Sequence, residues 1–73
     1  MNREMLQKHL EQTEGHVAAS DKLITDQQAL IAKLELRGFD TASAKGVLGN
    51  LEELRKLHVA DRDRLLRELG KLG

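Results

Sequence analysis

The sequence predicts an all-α fold: an antiparallel two-helix hairpin that dimerises into a four-helix bundle. Three observations carry that prediction. Apolar residues recur at alternating steps of four and three through the first half of the chain. Good helix formers dominate the composition, with no proline and a single aromatic residue, Phe39, among 73 residues. One cluster of turn-forming residues, Arg37-Gly38-Phe39-Asp40-Thr41, divides the chain into two halves of similar length.

The first helix is expected over about residues 3–36. Leu6, Leu10, Thr13, Val17, Ser20, Ile24, Gln27, Ile31 and Leu34 keep the four-three rhythm. That spacing holds one stripe of side chains toward a partner helix. The stripe is apolar at both ends and polar in the middle, where Thr13, Ser20 and Gln27 stand. It is also three columns wide. Leu10, Val17, Ile24 and Ile31 form the centre, Leu6 to Leu34 one flank, and His9, His16, Leu23 and Leu30 the other. Two columns suffice for one neighbour, so the third predicts a second neighbour. Gly15 costs the helix roughly 1 kcal/mol relative to alanine; the helix could simply tolerate it, or it could mark a kink.

The turn is expected at 37–40. Gly38 suits the left-handed position just past a helix C-terminus, and Arg37 complements the negative end of the helix dipole. Asp40 or Thr41 can then cap the next helix.

The second helix is expected over about residues 41–69. Ala44, Leu51, His58, Leu65 and Leu72 form its central column, with Val47 and Leu54 on one flank and Leu48 and Leu69 on the other. Leu57, Val59 and Leu66 fall off this stripe and could face another subunit. Gly46 and Gly49 allow two readings, simple tolerance or close backbone approach at a helix crossing. Gly70 and Gly73 suggest a frayed end. Outer faces carry ion pairs at i,i+4 spacing, among them Glu4–Lys8, Glu52–Lys56 and Asp63–Arg67.

Two helices cannot cover each other's three columns, so a two-fold dimer is the expected remedy. The residues assigned to hairpin and dimer packing are Leu6, Leu10, Val17, Ile24, Ile31, Leu34, Leu48, Leu51, Leu65 and Leu69. Folding about residues 38 and 39 sets position i against roughly position 78 − i, as in any short-looped antiparallel pair. Thr13, His16, Ser20, His58, Asp61 and Arg62 then form one polar layer, with His58 near Ser20, Asp61 near Val17 and Arg62 near His16. Buried polar residues of this kind fix register and partner choice in helical bundles.

Composition narrows the function. Twelve Lys and Arg balance twelve Asp and Glu, so binding to nucleic acid through a basic face is disfavoured. There is no cysteine, hence no disulfide, thiolate nucleophile or cysteine zinc site. No apolar run is long enough to span a bilayer. None of signal-peptide length follows Met1-Asn2-Arg3-Glu4-Met5, and cytoplasmic residence is the expectation. His9 and His16 are seven residues apart, too far along one helix to chelate a single ion, so a metal site would have to recruit His58 or a symmetry mate. Ser20 and Ser43 belong to no nucleophile motif. A Ser20–His58–Asp61 trio is formally possible, but Asp61 is placed to pair with Arg64 or Arg62. No catalytic residue, metal site or cofactor is assigned. The expected role is a non-enzymatic interaction module acting as a homodimer, with an unknown protein as a possible further partner. The alternatives are a nucleic-acid-associated bundle and a small-ligand or metal binder using the His-containing layer.

Gln7-Lys8-His9-Leu10, Glu14 with His16-Val17-Ala18, Gly38 with Asp40-Thr41-Ala44, and the run Leu57-His58-Val59-Ala60-Asp61-Arg62-Asp63-Arg64-Leu65-Leu66 carry one resemblance. On them the chain resembles a group of short uncharacterised bacterial helical proteins. The likeness implies a small helical protein and assigns no activity, cofactor or partner.

Overall fold

A computed structural model describes residues 2–72. Two helices account for nearly all of them: α1, Arg3–Leu36, and α2, Ala42–Leu72. They lie antiparallel against each other in a rod of 55 × 14 × 13 Å. That length is what a helix of 34 residues rising about 1.5 Å per residue requires. The chain is all-α, as the composition predicts.

Each helix end is secured by its own chemistry. Asn2 caps α1, its side-chain oxygen accepting a 2.9 Å hydrogen bond from the Met5 amide. At the other end the Phe39 amide donates to the Leu34 carbonyl at 2.9 Å, and the Gly38 amide to Glu35 at 3.1 Å. Gly38 has φ +75°, the left-handed conformation that this double closure needs and that a side chain would strain. The Asp40 carboxylate accepts from the Ala42 amide at 2.9 Å, and the Lys45 amide donates to the Thr41 carbonyl, starting α2. Thr41 is itself buried.

Among the residues assigned to packing, Leu6, Val17, Ile31 and Leu65 are buried, and Leu10, Ile24, Leu34, Leu48, Leu51 and Leu69 are half-buried. The core is anchored toward the open end by Leu6, 2% exposed, and Leu65, 0% exposed. Thr13 and Ser20 are buried between the apolar ends.

The first helix spans the expected 3–36 and runs unbroken through Gly15. Three local expectations need correction. Helix α2 continues through Gly70 to Leu72, while Gly73 lies outside the described residues. Leu72, expected in the central column, is exposed, because α1 begins at Arg3 and too little of it extends past that level to cover the side chain. Lys56 pairs with Glu53 instead of Glu52, and Asp63 with Arg62 instead of Arg67, whereas Glu4–Lys8 forms as spaced.

A Cβ added at Gly15, Gly46 or Gly49 would meet nothing within 4 Å. The hairpin therefore offers no close backbone approach at these glycines. Replacing each by alanine should raise stability by about 0.5–1 kcal/mol, since helix propensity rises and no contact is strained. Urea denaturation would read this, and a loss at any of the three would reveal a neighbour beyond the hairpin. Leu65→Ala should cost about 2–4 kcal/mol, enough to unfold much of so small a protein at room temperature.

Candidate functional site

The polar waist is where the two helices bring chemistry together. His16 from α1 and His58 from α2 stack with ring centroids 5.0 Å apart and planes 23° from parallel. One turn toward the open end, the Thr13 hydroxyl donates to its own helix at the His9 carbonyl, 2.9 Å, and lies 3.4 Å from an Asp61 carboxylate oxygen. One hydroxyl proton cannot serve both acceptors fully, so the shorter bond dominates and Asp61 takes the weaker share. Toward the loop, Arg55 reaches across to Asp21, and the Gln27 amide donates to the Ala44 carbonyl at 3.0 Å.

These pairs place the register closer to the loop than expected. His58 meets His16, not Ser20, and Asp61 meets Thr13, not Val17. The cause is the closure at Gly38. Because the Phe39 amide bonds the Leu34 carbonyl, the chain has already turned back level with Leu34 before α2 begins. A fold about residues 38 and 39 overestimates the height of the turn. Arg62 accordingly misses His16 and bonds Asp63 at 3.2 Å. Ser20 is buried in the same stretch of α1 as Asp21, which Arg55 reaches.

Of the six residues assigned to the polar layer, Thr13 and Ser20 are buried, His58, Asp61 and Arg62 half-buried, and His16 exposed. His16 stands outside because its column flanks the stripe that faces α2. The Ser20–His58–Asp61 trio is not assembled: His58 stacks on His16, and Asp61 bonds Arg64 and Thr13. Sequence reading missed Arg55 and Thr41 as interface residues. Their signal was present, because Thr41, Leu48, Arg55, Arg62 and Leu69 repeat every seven residues along α2.

The columns that flank the seam define an edge. His9, His16, Leu23 and Leu30 run along α1, and Val47, Leu54, Asp61 and Glu68 along α2, each seven residues from the next. His16 against His58, and the field of His9 at Asp61, put both columns on the same side of the rod. In the loop half this edge is apolar and open: Leu23 is 51% exposed, Leu30 45%, Val47 47% and Leu54 45%. In the other half it carries His9, His16, His58 and Asp61. A shallow open depression lined by Met5, Lys8, His9 and Gln12 lies on α1 alone.

No group of three metal-ligating side chains forms among the described residues. No helix among them is long and apolar enough to cross a membrane. Compared with protein-family models, curated proteins and solved structures, the chain matches none.

A hydrogen bond from Arg64, reinforced by its charge, holds the Asp61 carboxyl below the ordinary aspartate value, with His9 and Thr13 adding to the effect against partial desolvation. Because the folded value is depressed, the stabilisation is present above the unfolded value of about 3.9 and is lost as pH falls through the folded one. Asp61→Asn should therefore flatten the loss of stability on acidification below about pH 4, as read by thermal melts across pH 2 to 7. An unchanged acid limb would show that other carboxylates set it.

Proposed function

We propose that this chain is a non-enzymatic, cytoplasmic interaction module that works as a homodimer, two hairpins joining edge to edge in a four-helix bundle. The observation that carries the reading is a contiguous run of unburied apolar side chains along one edge. Leu23, Leu30, Val47 and Leu54 lie there together, with Leu57, three residues beyond Leu54, on its shoulder.

Surface area supports the same conclusion. A compact monomer of 8.2 kDa exposes about 4500 Å² by the usual scaling of surface with mass. This chain exposes 5378 Å². The excess is close to the roughly 800 Å² that each partner contributes to a standard protein interface.

A second copy is the occupant that the edge favours. Zero net charge removes repulsion between copies. A two-fold axis along the rod sets Leu23, Leu30, Val47 and Leu54 against themselves. An axis across its middle would instead set these residues against Asp61, Arg64 and Glu68, burying charge on apolar surface. The parallel arrangement, loops at the same end, is therefore preferred. It leaves the outer faces, with Leu36 and Phe39 near the loop, for a further protein partner.

Sedimentation equilibrium at micromolar concentration should give twice the 8.2 kDa chain mass. Leu23→Glu with Leu54→Glu should weaken the dimer a hundredfold or more, since each leucine contributes about 1.5–3 kcal/mol on burial. A folded wild-type chain that sediments as a single copy would overturn the proposal.

A further inference from the structure

All three histidines of the chain converge on the edge just described, two from α1 and one from α2. We propose that His16 and His58 of two copies together bind one divalent transition-metal ion of the zinc class. The inference rests on the homodimer reading and adds a ligand to it.

The fold, not the sequence spacing, makes the pair. His16 and His58 are 42 positions apart in the chain, yet their rings stack at 5.0 Å on an open edge. Two imidazole nitrogens bound to one ion at about 2.0–2.1 Å sit roughly 3.3 Å apart in tetrahedral geometry. Binding would require the exposed His16 ring to turn out of the stack, so that one nitrogen of each ring reaches that separation. Imidazole is a ligand that zinc, copper and nickel all accept.

One hairpin supplies only two such ligands, and no third forms with them among the described residues. His9 lies two helical turns away along α1, and Asp61 is engaged by Arg64 and Thr13. The missing pair must come from outside the chain. In the parallel two-fold dimer every level of the edge meets its own copy, so two His16–His58 pairs face each other across the axis. Four imidazoles then surround one position, the ligand number of a closed zinc site.

The charges around that position tolerate a cation. Arg64 is bonded to Asp61 and Glu68, and Arg62 to Asp63, so each nearby guanidinium has a carboxylate partner. Ser20 and Thr13, toward the hairpin interior, are neutral. The apolar patch begins on the loop side of the His16–His58 layer, because Leu23 follows His16 by seven residues toward the loop. Metal binding and apolar burial would therefore strengthen the same interface.

The test uses the full chain, freed of metal with a chelator and then titrated with Zn2+ or Co2+. The expected result is one ion per two chains, a dimer at least tenfold tighter with Zn2+, and a tetrahedral ligand-field band with Co2+. His16→Ala should abolish all three without disturbing the core, because His16 is exposed. His58→Gln should do the same, with circular dichroism reporting that the helices persist, while His9→Ala should change none of them. A metal-free dimer that neither binds Zn2+ nor tightens would overturn this inference and leave the homodimer intact. A chain that stays single with and without metal would overturn both. Uptake of one ion per chain that survives His16→Ala would mark adventitious binding and overturn the site.

Discussion

An antiparallel helix pair can hide only the two columns of side chains that each helix turns toward the other. This geometric limit governs the whole molecule. Each helix here carries apolar residues on three columns, so the hairpin closes over Leu6, Val17, Ile31 and Leu65 and leaves the third column in water. A rod about 14 Å thick has no interior beyond that seam. Its stability therefore draws on a single stripe, and covering the remaining column is the most direct way to lower the free energy of the folded state.

Within the seam, apolar and polar layers divide the work. Leu6 and Leu65 anchor the open end and Ile31 the loop end. Between them stand Thr13 with Asp61, His16 with His58, Asp21 with Arg55, and Gln27 with the Ala44 carbonyl. Such contacts add little net stability, because each partner exchanges water for protein. Their effect is on alignment. Sliding one helix by a turn would separate every one of these pairs at once, whereas leucines would find new leucines. The polar waist thus selects one register from several that the apolar residues alone would permit.

The same waist opens onto the exposed edge. His16 belongs to the third column and His58 to the central column of α2, so their stack joins the seam to the surface that a second copy would cover. Register inside the hairpin decides whether the two imidazoles meet. Closure at Gly38, by setting that register, acts at a distance on the chemistry of the edge.

Helix content, the break at Gly38 and the third apolar column were all legible in the sequence. Each is a local property, set by propensity, by spacing along one helix, or by the demand for a positive φ at one residue. The pairing across the helices was not. Reading Arg37 to Asp40 as a symmetric turn placed His58 near Ser20 and Arg62 near His16, about one helical turn from where they stand. Only the tertiary structure shows that Phe39 has already returned to the level of Leu34, because that bond depends on how the chain closes rather than on which residues are present. The seam positions of Arg55 and Thr41 were obscured for a related reason. Charged and hydroxyl side chains at seam positions interrupt an apolar pattern, and their burial is decided by partners on the other helix, Asp21 in the case of Arg55. Residue type and spacing determined two amphipathic rods and their surplus of apolar surface; three-dimensional closure decided which side chains face each other across them.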